Sequence, residues 1–170
     1  MVMVQKNLKL FIRIHIMNKK FIFKNLKKEY SEQIYELQKN NQNDFGNNIW
    51  ETEELNDSIS KNLFNGQVFI SKKRVEGFLL YKIIDNYIEI YSLFVEPKFR
   101  KKGIARNFLK NCIKFCKEKN LVKIILDVNE KNLIALRFYR KNNFLFCGMR
   151  KDYYKDKNFY NDSYTMSLLI

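Results

Sequence analysis

The stretch from Tyr91 to Ala105 constrains this chain more than any other: an apolar run stops at Pro97, a basic turn follows from Lys98 to Lys102, and Gly103 opens a long amphipathic segment. Proline cannot extend a central sheet ladder, so the strand ends there. The first turn of the helix that follows leaves backbone N–H groups without intrahelical partners. The helix dipole adds positive potential at the same end. Together these features form a cradle for phosphate. Arg100, Lys101, Lys102 and Arg106 gather charge around it. The fold therefore contains a strand–turn–helix unit suited to an anionic, phosphate-bearing ligand. The pattern is not a Walker loop, because G-x-x-x-x-G-K is absent. It is not the dinucleotide fingerprint either, because the second and third glycines are missing.

The rest of the chain reads as one α/β unit without repeat or linker. Short strands are expected over residues 21–26, 68–71, 77–84, 87–95, 122–128, 144–148 and 160–169 from alternation and apolar runs. Helical spacing is expected over 29–39, 52–62, 103–118 and 132–141. Residues 40–48 form a polar, Asn-rich loop, and Lys72 to Arg74 turn a hairpin. A chain of 170 residues is the size of one domain. Residues 1–16 are apolar but broken by Lys9, Arg13 and His15. They lack a small-residue cleavage site. They read as a disordered or artefactual N-terminal extension, with a single domain over 17–170.

The net charge of +14 fits partners such as nucleic acid, ribosome surfaces or anionic cofactors. It also fits AT-rich codon usage, since Lys, Asn and Ile abound while Arg, Ala and Gly are scarce. The basic residues are spread along the chain, which weakens a nucleic-acid reading. No run reaches the ~18 apolar residues of a membrane span. Cys112, Cys116 and Cys147 have no C-x-x-C spacing and read as buried, reduced thiols of a cytoplasmic protein. His15 is the only histidine, so no His-based metal site or Ser/His/Asp triad is expected, and no metal is assigned.

A second constellation lies over Ile124–Tyr139. A strand ends in Asp127, Asn132 sits at a helix start, and Ala135 and Tyr139 follow on the same helical face. A carboxylate at a strand end and a phenol two turns into the next helix can face one pocket from two sides. That arrangement suits proton removal from an attacking amine and proton delivery to a leaving group. Each residue also has a plainer reading: Asp127 as a turn former, Asn132 as an N-cap, Tyr139 as half-buried core.

The two constellations together resemble the GNAT superfamily of acyl-CoA-dependent N-acyltransferases. Arg100, Gly103 and Ala105 match that family's R/Q-x-x-G-x-G/A turn, which binds the coenzyme A pyrophosphate. Asn132, Ala135 and Tyr139 match its N-x-x-A-x-x-x-Y helix. The resemblance covers about residues 20–170 and is nearest to the bacterial ribosomal-protein-alanine N-acetyltransferases. Ile49 to Leu55 is similar to that group's P-W-S-E-E-x-F. Leu93 to Ala105 is similar to its I-A-V-x-P-x-Y-R-x-x-G-I-G. Gly148 to Tyr154 and Asn161 to Met166 are similar to its G-x-R-x-x-Y-Y and E-D-A-x-x-M.

The resemblance implies a mixed, mostly antiparallel twisted sheet of about six to seven strands, splayed between strands 4 and 5, with about four helices on both faces. It implies acetyl-CoA as co-substrate, contacted by Leu93, Phe94, Val95, Arg100, Lys101, Lys102, Gly103, Ile104, Ala105, Arg106 and Asn132. Phe94 and Val95 would pair with the pantetheine arm. Asp127 matches the general base and Tyr139 the general acid. Trp50, Tyr153 and Tyr154 would contact the acceptor. That acceptor would be a ribosomal protein N-terminus or, alternatively, a small amine such as an aminosugar. The enzyme would act as a monomer or weak homodimer, with no DNA or membrane partner. The chain departs from the group at Asp127, where Glu is usual, at Ile49, where Pro is usual, and at Asn143, where Gly is usual. The Asn143 exchange points to a left-handed backbone, which Asn tolerates. The shorter Asp127 and the +14 charge also support a reading from another class, a non-catalytic CoA- or RNA-binding module.

Overall fold

The computed structural model describes residues 21–45, 48–156 and 159–170. The expectation for residues 1–16 lies outside them. Strands β1 (Ile22–Asn25), β2 (Asn65–Ser71), β3 (Arg74–Ile84), β4 (Tyr87–Val95), β5 (Lys123–Asn129), β6 (Leu145–Asp156) and β7 (Phe159–Leu169) form one sheet. Its order is β1-β2-β3-β4-β5-β7-β6. Every neighbouring pair is antiparallel except β4 with β5. The helices are α1 (Ser31–Asn40), α2 (Gln42–Phe45), α3 (Thr52–Ser60), α4 (Ile104–Glu118) and α5 (Leu133–Lys141). Among the described residues the expected α/β sheet is present, with seven strands and with five α-helices, one more than expected.

Alternation along the central strands sorts side chains onto two faces. Phe69, Leu79, Tyr81, Ile88, Ile90, Ile124, Leu126 and Val128 point to one side. There they meet Ile104, Phe108, Leu109, Cys112 and Cys116 of α4 and Leu136 and Tyr139 of α5. Val68, Ile70, Phe78, Leu80 and Phe94 point the other way, toward Ile34 and Leu37 of α1 and Leu55 of α3. The buried residues of this second cluster on the sheet all come from β2, β3 and β4.

The parallel ladder between β4 and β5 runs only from Tyr87↔Lys123 to Ile90↔Leu126. Both strands continue beyond that point, β4 to Val95 and β5 to Asn129. A register shift between Leu80 and Tyr81 on β3 leaves Tyr91 of β4 as the extra residue. A bulge raises local twist and bends its strand, and here it lies where the two strands part. The sheet is thus splayed between β4 and β5, as the resemblance implied.

The hairpin between β2 and β3 turns through Lys72 (φ 50°) and Lys73 (φ 67°), both left-handed. A two-residue turn of this hand prefers Asn-Gly, because other L-residues cost roughly 1–2 kcal/mol each there. Lys72→Asn with Lys73→Gly is therefore expected to raise stability by about 1–2 kcal/mol. A urea midpoint that fails to rise would contradict the turn.

Candidate active site

The splay opens a cleft of about 320 Å³. Tyr91, Ser92 and Leu93 of β4 line one wall and Asp127, Val128 and Asn129 of β5 the other. Asn132, Ala135 and Tyr139 bring one face of α5 to the cleft, at the i, i+3, i+7 spacing read from the sequence. Tyr154 and Asn161, paired across β6 and β7, close a further side. Asp44 and Phe45 of α2 contribute from the other face.

Asp127 is nearly buried, its side chain 12% exposed. Its Oδ1 accepts a hydrogen bond from the Thr165 hydroxyl at 2.6 Å. Its Oδ2 lies 3.2 Å from Arg150 Nη1. Tyr139 packs against Phe138 and Phe144 with ring centroids 5.2 and 5.3 Å away. Burial, and secondarily Tyr154, pushes its phenol well above the ordinary tyrosine range. Burial also pushes Tyr154 up to about 12, with the Ser163 hydroxyl pulling the other way. Both phenols are thus held protonated at neutral pH. Asn132 caps α5, its Oδ1 accepting from the Ala135 N–H at 3.0 Å. That leaves the Asn132 amide N–H groups to donate into the cleft.

Gly103 stands at the N-cap of α4 with φ 83° and no side-chain cap. Among the described residues, the N–H groups of Ile104, Ala105 and Arg106 have no backbone acceptor. A Cβ built on Gly103 meets nothing within 4 Å, so the space a ligand phosphate needs is open there. Among the described residues, Lys101 and Arg106 have no ion-pair partner. Lys98 and Lys102 are engaged, Lys98 with Glu76 at 2.9 Å and Lys102 with the Lys98 carbonyl at 2.7 Å. These features fit a diphosphate. Gly103→Val would place a β-branched residue at positive φ and fill that space. We expect CoA to bind about tenfold more weakly, roughly 1.4 kcal/mol, by calorimetry. Unchanged affinity would remove the diphosphate from this turn.

Several expected site residues have other partners. Arg100 donates from Nε to the Val95 carbonyl at 2.9 Å and pairs with Asp44 at 2.9 Å. It ties the turn to β4 and α2 rather than pointing a free charge at phosphate. The Glu96 N–H donates to the Glu76 carbonyl, so antiparallel alternation turns the main-chain groups of Glu96 and Phe94 toward β3. Leu93 and Val95 then face the opening, and Phe94 does not. Trp50 is off the cleft, its ring 4.9 Å from Phe64 and its amide N–H donating to Gln38. Tyr153 is half exposed and meets the Tyr154 ring edge to face, with centroids 5.1 Å apart, also outside the cleft lining. Cys112 and Cys116 are buried as expected, but Cys147 is exposed on β6.

Thr165, Arg150, Asp44 and Asn161 were not singled out from the sequence. Thr165 did have a signal: Ser163, Thr165 and Ser167 alternate with Tyr164, Met166 and Leu168, which marks a strand with one polar face. Asp44 had none, because nothing in the Asn-rich segment is periodic.

Comparison with known proteins bears on what this cleft does. Residues 27–144 match the family model described as the acetyltransferase (GNAT) family. The chain belongs to the GNAT acetyltransferase family. It is 24% identical over 97 residues to the ribosomal protein bS18-alanine N-acetyltransferase of Salmonella typhimurium, a match covering 57% of this chain and 66% of that one, just under two thirds. It is 22% identical over 141 residues to the putative bS18-alanine N-acetyltransferase of Bacillus subtilis, covering 82% and 91%. A shorter match, 34% over 68 residues and 40% of this chain against 42% of the other, is to spermidine N(1)-acetyltransferase of Thermoplasma acidophilum. Among solved structures, Arabidopsis thaliana NAA60 in complex with acetyl-CoA superposes with a TM-score of 0.76 at 17% identity, covering 88% of this chain and 98% of that one. The fold of this GNAT acetyltransferase is therefore shared with a protein that binds acetyl-CoA, and Asp127, Tyr139 and Asn132 line its β4–β5 opening.

Proposed function

We propose that this acetyltransferase moves an acetyl group from acetyl-CoA to the N-terminal α-amine of a protein, a ribosomal protein being the best-supported class. The observation that carries this reading is the cleft itself: one opening beside β4 is lined by both a nearly buried carboxylate, from β5, and a buried phenol, from α5. Acetyl-CoA supplies an acyl thioester. Ile104, Ala105 and Arg106 N–H groups, with Lys101, would hold its diphosphate. Leu93 and Val95 would offer main-chain groups to its pantetheine arm, as an added strand would, and a free N–H near the thioester would stabilise the oxyanion.

An ammonium cannot attack, so the acceptor first loses a proton. Asp127 takes it, directly or through one water. The amine nitrogen then bonds to the carbonyl carbon, the carbon–sulfur bond breaks and Tyr139 delivers its proton to the departing sulfur. The second proton that the nitrogen sheds as the amide forms restores the Tyr139 phenol through solvent, and the one on Asp127 leaves to bulk water. Raising the phenol by burial suits this role, since the proton stays on oxygen until a thiolate forms beside it. Tyr154 stands at the acceptor side of the same space.

A small-amine acceptor is the second reading, favoured by the likeness to a spermidine acetyltransferase. The cleft's charge argues for the peptide. Asp44 and Asp127 are its acidic residues, and each already pairs with an arginine. A polyamine would need uncompensated carboxylates along its length. Asn43, Asn48, Asn129, Asn132 and Asn161 instead line the cleft with amides, which match a peptide main chain in both donor and acceptor. A panel of an Ala-Arg peptide, spermidine and an aminosugar, each with acetyl-CoA, separates the readings. We expect the peptide to have the highest kcat/KM. A ribosomal acceptor would place the reaction in the cytoplasm.

A further inference from the structure

Asp127 already holds a cation. Asp127, Thr165 and Arg150 share one face of the sheet, since Asp127 pairs with Thr165 and Arg150 with Ser163 two residues along β7. That is the face opposite α4 and α5, over strands that the α1–α3 cluster does not use. Asp127 thus looks away from the helix start at Gly103, toward the side from which an acceptor can enter. On that side the guanidinium of Arg150 lies against Oδ2 while Thr165 holds Oδ1.

The two contacts differ in kind. The Thr165 bond is short and part-buried. The Arg150 side chain is 52% exposed, so its pairing is of the weak, solvent-screened sort. The ladder breaks after Arg150, with no regular pairing until Tyr154, and Asp152 within the break has φ 52°. The guanidinium also lies 5.2 Å from the ring of the half-exposed Tyr153, a surface on which it can rest once released. One oxygen of the carboxylate is therefore fixed and the other is held by a replaceable charge.

We infer that Arg150 is a placeholder cation: its guanidinium occupies the position at Asp127 Oδ2 that the acceptor's ammonium takes on binding. The exchange trades one positive charge for another, so Asp127 never stands unpaired in the cleft. Thr165 is the positioning residue that keeps Oδ1 still while Oδ2 changes partner. Among the described residues, Tyr154 from β6 is the other titratable group that Asp127 influences; it is a neutral phenol and does not compete for the ammonium. The inference rests on reading Asp127 as the group that receives the acceptor's proton.

Two measurements test it. The first follows the Arg150 guanidinium by 15N NMR in the CoA-bound wild type as methylammonium, the smallest primary ammonium, is added. The Arg150 signal is expected to move toward that of a free guanidinium, and a signal that stays fixed to saturating amine overturns the exchange. The second is steady-state kinetics with an Ala-Arg peptide. Arg150→Gln is expected to lower the acceptor KM roughly two- to fivefold, the worth of an exposed ion pair, without lowering kcat, and Arg150→Lys to resemble wild type. A higher KM in a folded Arg150→Gln protein would make Arg150 an ordinary substrate contact and sink the inference. Thr165→Val is expected to lower kcat and Thr165→Ser to restore it. A wild type inactive on every amine, with Arg150 still displaced by methylammonium, would refute the proposed activity and leave the exchange standing. An active wild type with Arg150 undisplaced would do the reverse.

Discussion

Tyr139→Phe is expected to lower kcat roughly 10²–10⁴-fold, the range for losing a positioned general acid, while CoA affinity stays at the wild-type value. The ring would keep its packing on Phe138 and Phe144, and only the hydroxyl is lost. A fall in kcat with unchanged binding is the signature of an interaction made in the transition state. A kcat within threefold of wild type, roughly 0.65 kcal/mol, would remove Tyr139 from the reaction. The pH dependence adds a second check. Unfolded tyrosine titrates near pH 10, and burial raises Tyr139, Tyr81, Tyr91 and Tyr154 in the folded protein. Above pH 10 the unfolded chain therefore releases protons first. The stability these groups contribute is fully present below pH 10 and is lost as pH rises through their folded values. Urea midpoints should be flat with respect to these groups from pH 8 to 10 and fall beyond it.

Asp127→Asn should be nearly as damaging, with kcat/KM for the amine down roughly 10²-fold or more. The amide keeps the shape and one acceptor oxygen for Thr165 but cannot take a proton from an ammonium. It also leaves Arg150 without its partner. Because the variant loses the base and not the nucleophile, activity should recover partly as pH rises and the acceptor deprotonates in bulk water. A pH–rate profile parallel to wild type would show that the proton leaves by another route.

Much of this site could be read from residue order because its chemistry sits at element boundaries, where local signals are strong. Strand β4 was expected over Tyr87–Val95 and occupies those residues. Pro97 and Gly103 set the two ends of the following turn, and Asn143 adopts the left-handed backbone its place after α5 demanded, with φ 65°. The Asn132–Ala135–Tyr139 face depends only on helical periodicity. What escaped depends on contacts between distant segments. Helix α2 lies in a polar run with no periodic signal, yet its Phe45 ring packs at a tilt on Phe94, with centroids 4.8 Å apart, and its Asp44 captures Arg100. That capture turns an expected phosphate ligand into a brace. Strand β6 runs on to Asp156 instead of stopping near Gly148, because pairing with β7 rather than its own charged sequence sustains it. Trp50 and Tyr153 looked alike in sequence as acceptor contacts. Packing against Phe64 took the first, and half-exposure beside Arg150 took the second, away from the cleft wall.

The account stands on a thioester held in the β4–β5 opening with an acceptor amine between Asp127 and Tyr139. Its most direct test is to incubate the purified protein with acetyl-CoA and an Ala-Arg peptide and read the product by mass spectrometry with fragment assignment. One acetyl group on the peptide α-amine, formed by wild type and nearly absent with Tyr139→Phe, is the predicted result. Acetyl-CoA bound but never discharged to any amine, or discharged equally well by Tyr139→Phe, would contradict it.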